Sequence, residues 1–84
     1  RLHQLIPTRV LPLGPGFRAW LEYRSPQVEP RLAMLIKNLI DGERSLAHIY
    51  WAAFAEFENV TLADVEAFVN ELVAKGWVRL KERR

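Results

Sequence analysis

The chain has no cysteine, so it has no disulfide framework and no thiolate metal site. Histidine is nearly as scarce. His3 and His48 are far apart, neither has the spacing of a paired metal ligand, and no metal or cofactor is expected. Ser25 and Ser45 are the only serines, and no Gly-x-Ser-x-Gly surrounds either. Gly14-Pro15-Gly16 lacks the Gly-Lys-Ser/Thr continuation of a phosphate loop. Carboxylates such as Glu22 and Glu29 are present, but nothing directs them at a common substrate. The expectation is therefore a non-catalytic chain that binds rather than reacts. No apolar run approaches the roughly 20 residues a membrane span needs, and the first ten residues lack the apolar core of a secretory signal. A cytoplasmic location is expected, with no membrane partner. A chain that opens on Arg1 is expected either to come from a longer parent or to have been trimmed.

What is present is one small domain, residues 1–84, in which half of the 84 residues are apolar. A domain of this size is marginally stable and gains from a partner. The net charge is +2, and much of the excess sits at the ends, in Arg1, Arg9, Arg79, Lys81, Arg83 and Arg84. A terminal charge run reads as solvated chain ends rather than as a nucleic-acid surface.

The organising stretch is residues 31–50. Leu32, Leu35, Ile36, Leu39 and Ile40 form one helical stripe, and Leu46, Ile49 and Tyr50 begin another. Between them, Asp41-Gly42 stops the first helix, and Ser45 is placed to cap the second. The spacing predicts helices over residues 31–40, 46–58 and 62–75. Pro30 stands at a first-turn position, Thr61-x-x-Asp64 caps the third helix and Gly76 ends it. Before them, residues 1–7 read as an arm. Residues 8–13 and 17–23 read as a hairpin about Gly14-Pro15-Gly16, and residues 27–29 as a short third strand. Residues 77–80 read as a short closing strand and 81–84 as a tail. The fold class predicted is α+β: a small winged-helix-like domain with an N-terminal antiparallel sheet of two or three strands, then a three-helix bundle.

Two tryptophans stand off the stripes. Trp20 alternates away from Phe17, Ala19 and Leu21, so it either covers the outer face of the sheet or meets a partner. Trp51 lies roughly 130° from the centre of the second helix's stripe, on a side shared with Ala47, Ala52 and Ala55. Either the arm or sheet covers that face, or Trp51 anchors a protein interface. The third helix carries Asp64, Glu66 and Glu71 against Lys75, a poor balance for a helix that must approach phosphates.

Two stretches resemble PqqD and its relatives, the recognition elements for precursors of ribosomally made, post-translationally modified peptides. Leu39-Ile40-Asp41-Gly42-Glu43-Arg44-Ser45-Leu46-Ala47-His48-Ile49 is similar to that family's helix-Asp-Gly-turn-helix junction. Asp64-Val65-Glu66-Ala67-Phe68-Val69-Asn70-Glu71-Leu72, followed by Gly76-Trp77-Val78, is similar to its third helix and stop. The likeness covers residues 32–78. It departs at Gln27-Val28-Glu29-Pro30, which is short and polar and lacks an Asn/Thr-type cap.

The resemblance implies a winged-helix-like module in which an unstructured leader peptide adds as a strand to a sheet edge, beside the third helix. Carried onto this sequence, the edge is Gln27, Val28 and Glu29, and the groove wall is Asp64, Phe68, Glu71 and Lys75. The acids there favour a leader with basic residues. The implied partners are the precursor peptide and a peptide-modifying enzyme, separate or fused. Two alternatives stand beside this reading. One is an accessory or dimerisation domain of a larger enzyme, such as a cupin-type oxygenase, using Trp51. The other is a winged-helix DNA-binding regulator, which needs Arg31, Lys37, Arg44 and the C-terminal arginines on one face.

Overall fold

A computed structural model describes residues 4–10, 15–26 and 28–82. The elements run β1 (Leu5–Arg9), α1 (Pro15–Glu22), α2 (Pro30–Leu39), α3 (Leu46–Glu56), α4 (Leu62–Ala74) and β2 (Val78–Glu82). The described residues form a small α+β domain with four helices and a two-stranded antiparallel sheet.

The three helices expected from the apolar stripes form within two residues of their expected ends. Their boundaries follow from local chemistry. Pro30 opens α2, where its missing N–H would be unpaired in any residue. Asp41 Oδ1 accepts from the amides of Glu43 (2.9 Å) and Arg44 (3.0 Å), folding the connection to α3, and those bonds hold its carboxyl below the usual carboxylate pKa. Ser45 Oγ accepts from the amide of His48 (3.2 Å), the N-cap expected of it. At α4 the capping box closes in both directions: Thr61 Oγ1 accepts from the Asp64 amide, and Asp64 Oδ2 from the Thr61 amide. Gly76, at φ +81°, then turns the chain out of α4. The amides of Gly76 and Trp77 donate back to Val73 and Leu72.

The N-terminal third differs from the expected hairpin. Residues 17–23 are not a strand: α1 occupies Pro15–Glu22, and Gly14, the other expected turn residue, lies outside the described residues. Phe17, Ala19 and Leu21 do alternate, but Phe17 and Trp20 are also three apart, on one helical face. The helix wins because it turns Trp20 into the core, leaving 2% of it exposed. Pro15 at the first turn and the Arg18–Glu22 ion pair one turn apart (2.9 Å) agree with that choice. Trp20 thus neither covers an outer sheet face nor meets a partner.

The strand that pairs with the N-terminal segment comes from the other end of the chain. Leu5 lies opposite Glu82, Pro7 opposite Leu80 and Arg9 opposite Val78. Leu5, Ile6 and Pro7, expected in an arm, are therefore strand residues. No third strand forms at Val28 and Glu29. Pro26 is in a turn and Val28 in a bend, while Gln27 lies outside the described residues. Prolines at 26 and 30 remove donors on both sides, and Val28 is drawn into the core.

The core is one cluster built from every helix and the end of the sheet: Trp20, Ile36, Leu46, Ile49, Val65, Phe68, Leu72 and Val78 are among its members. Among the described residues Lys37 is the one buried charge, 6% exposed. Its Nζ donates to the carbonyls of Trp20 (2.9 Å), Leu21 (3.3 Å) and Tyr23 (3.5 Å). Those are carbonyls at the end of α1, where the helix leaves acceptors without partners and carries its negative pole. Lys37 therefore fastens α1 to α2. Burial, with repulsion from Arg24, lowers its pKa from 10.5.

Candidate functional site

The two sheet edges are unlike. Antiparallel partners alternate between pairs that exchange hydrogen bonds and pairs whose backbone groups point outward. The Val10 amide donates to the Trp77 carbonyl (3.0 Å), which fixes the phase. Thr8–Arg79 and Ile6–Lys81 therefore exchange bonds, while Arg9–Val78, Pro7–Leu80 and Leu5–Glu82 point outward. Pro7 occupies an outward position, where no ladder bond is lost. Its carbonyl accepts from the Gly42 amide (3.1 Å), so the turn between α2 and α3 meets the outer edge of β1 at its middle. A Cβ on Gly42, which has φ +82°, would stand 3.3 Å from Thr8 Oγ1, and glycine lets the turn come that close. On β2, the outward amides and carbonyls of Val78, Leu80 and Glu82 have no backbone partner among the described residues.

Beside the start of β2 is an aromatic and carboxylate cluster. Trp77 meets Trp20 (ring centroids 6.3 Å apart) and Tyr23 (5.6 Å) edge to face, and Tyr23 stacks on Phe68 (6.5 Å). Glu71 Oε1 accepts from Tyr23 Oη (2.7 Å) and its Oε2 from Ser25 Oγ (3.0 Å). That bond to a carboxylate, with some burial, raises the Tyr23 pKa above 10.0. Lys75 Nζ lies over the Tyr23 ring (5.0 Å) and the Trp77 ring (6.0 Å).

Two other features stand apart from this cluster. A groove of about 480 Å³ between the start of α2 and the α3–α4 connection is lined by Glu29, Leu32, Glu56, Phe57, Glu58 and Asp64, among others. On α3, Tyr50, Trp51 and Phe54 form an aromatic ridge with ring centroids 5.3–6.4 Å apart. Trp51 is 61% exposed and Phe54 43%.

The residues expected to bind a peptide are therefore divided. Glu29 and Asp64 share the acidic groove. Glu71 and Lys75 lie beside β2. Phe68 is wholly in the core, and Val28 is buried, so neither presents a surface to a ligand. Gln27 is outside the described residues. Tyr23, Trp77 and the β2 edge escaped sequence reasoning. Tyr23 ends a stretch that alternates like a strand, and the Trp77-Val78 pair signals only a closing segment.

Of the basic cluster a DNA-binding surface requires, Lys37 is buried on α1's carbonyls, Arg44 is paired with Asp41, and Arg31 lies over the Phe57 ring (5.9 Å), while Arg83 and Arg84 lie outside the described residues. No helix among the described residues is long and apolar enough to cross a membrane, and none of their acids and histidines gather as a metal site. No family model, curated protein or solved structure matches the chain.

Proposed function

We propose that this domain is a non-catalytic recognition module that takes the leader of a ribosomally made precursor peptide as an added strand and presents it to a modifying enzyme. On this reading α2, α3 and α4 with the strand pair form a winged-helix-like unit. The receiving edge is β2 rather than residues 27–29, of which Val28 and Glu29 form no strand. The single observation that carries the reading is the asymmetry of the sheet. One edge lacks a donor at Pro7 and is met there by the Gly42 amide, and the other offers the outward backbone groups of Val78, Leu80 and Glu82. Strand addition draws its affinity from such groups and its register from neighbouring side chains.

Glu82→Pro and Leu80→Pro remove an outward N–H without touching a β1–β2 bond, and Glu82 is exposed, so its loss leaves packing intact. Fluorescence anisotropy with a panel of labelled leader peptides is expected to show binding that Glu82→Pro weakens about ten-fold, with an unchanged circular dichroism spectrum. Equal binding by the native chain and both proline variants sinks strand addition at this edge.

A second reading has its own observation. The ridge of Tyr50, Trp51 and Phe54 suits an accessory domain seated against a larger enzyme, since exposed aromatics of this kind anchor interfaces. On the first reading, the same ridge is where the modifying enzyme would dock.

A further inference from the structure

We propose that Tyr23, Trp77 and Glu71 form a receptor for an arginine side chain, and that Lys75 fills its ring faces when the domain is free. The inference rests on the peptide reading above, in that the arginine is carried by the added strand. It names the side-chain class that sets the register.

Three observations converge. First, two half-buried rings stand edge to face with centroids 5.6 Å apart, and a cation already lies over both. The negative face of an aromatic ring attracts cations, so Lys75 reports the preference of the place. Second, Lys75 is four residues after Glu71, the spacing of a helical ion pair, yet its ammonium makes no ion pair with that carboxylate. Third, the Glu71 carboxylate is held by the Tyr23 and Ser25 hydroxyls, one on each oxygen, and each oxygen keeps a further lone pair. The aromatic and anionic halves of a cation site are thus both present, and the internal lysine uses only the first. A guanidinium uses both: its plane stacks on a ring while its edge donates to a carboxylate. An ammonium has no such plane, so arginine is selected over lysine. Position agrees as well. Trp77 immediately precedes β2, so a strand laid along Val78, Leu80 and Glu82 passes the cluster at one end.

The test separates the receptor from the strand. Nα-acetyl-arginine methylamide, which cannot form a strand, is titrated into the native chain and into Lys75→Gln, following the Tyr23 ring and Trp77 indole signals by NMR. Saturable shifts of both residues are expected, with binding about three-fold tighter in Lys75→Gln, because the competing cation is gone. The citrulline analogue, neutral and of the same shape, is expected to give no shift. Lys81→Gln makes the same charge change on an exposed residue of β2 and is expected to leave the affinity as it is. Glu71→Gln is expected to weaken the arginine probe more than the lysine analogue. Absence of shifts at Tyr23 and Trp77, equal shifts with citrulline, or equal tightening in Lys75→Gln and Lys81→Gln would overturn the receptor. A bound leader peptide whose affinity survives arginine-to-citrulline exchange also refutes the receptor, and leaves strand addition standing. Probe binding at the rings with no peptide binding refutes strand addition alone.

Discussion

Trp20 and Trp51 each sit inside a short helix, and the domain treats them in opposite ways. Trp20 is 2% exposed, meets Trp77 edge to face, and has the Lys37 ammonium 6.0 Å from its ring. Trp51 is 61% exposed, and its ring neighbours are Tyr50 and Phe54 of its own helix. The difference arises from what surrounds each helix. α1 has one apolar face, and burying it fixes the direction of Trp20. α3 carries no charged residue from Leu46 to Ala55, so Leu46, Ile49 and Ala53 fill the core and aromatic surface remains over. A helix that is apolar all round has more such surface than one side of a small domain can cover. One tryptophan is part of the core, and the other stays on the surface.

The sharpest way to break this contrast is truncation. Trp20→Ala is expected to cost about 3–5 kcal/mol, the usual range for emptying an aromatic site in a core. In a domain this small that is most of the stability. Trp51→Ala is expected to change stability by no more than about 0.5 kcal/mol. Urea denaturation followed by circular dichroism measures both. Similar losses from the two variants would mean that the α3 ridge is part of the fold and not a docking surface.

The same contrast explains what was legible in the sequence. The helices α2, α3 and α4 were, because stripe, cap and stop agree: Ser45 and Thr61 cap as their positions suggest, and Gly76 turns the chain. The segment Pro15–Glu22 was not, because eight residues support either period, and only the distant core decides between them. The pairing of β1 with β2 was hidden for a related reason. Seventy residues separate partners such as Thr8 and Arg79, and a nearby Gly-Pro-Gly suggested a local hairpin. Lys37 lies off the apolar stripe of α2 yet is buried with Leu32, Ala33 and Ile36, because of carbonyls from α1 that no spacing within α2 reveals. The candidate site was legible by halves. Glu71 and Lys75 were found on α4, but Tyr23 and Trp77 join them only through tertiary packing.

A smaller effect tests whether Trp20 owes its place to the lysine beneath it. Lys37→Met keeps the length and apolar stem but withdraws the donor from the carbonyls of Trp20, Leu21 and Tyr23. The expected cost is about 1–3 kcal/mol, that of leaving buried acceptors unpaired. The loss should be local. Hydrogen exchange should quicken in α1 and the Trp20 emission should shift to the red, while α3 amides and the Trp51 emission stay as they were. Uniform loosening of all four helices would contradict the account of Lys37 as a fastener of α1.

The smallest effect is the most informative about the Tyr23 cluster, and its sign follows from linkage. The neutral Tyr23 phenol donates to Glu71, so its pKa is raised above 10.0, and above that pH the folded chain holds a proton the unfolded chain has lost. Stability from this group is full below pH 10 and falls as pH rises through the raised value. Lys37 acts oppositely. Its pKa is lowered from 10.5, so the folded chain sheds that proton first, and stability rises with pH between the lowered value and 10.5. Tyr23→Phe keeps the ring over Phe68 and removes the hydroxyl, at a cost of about 1 kcal/mol at neutral pH. Above pH 10 the native chain loses the Tyr23 contribution and the variant has none to lose, so the two stabilities converge. Urea midpoints measured from pH 8 to 11 check this directly. A gap that stays constant over that range would mean that Glu71 does not hold the phenol proton, and it would remove the fixed carboxylate on which the arginine receptor depends.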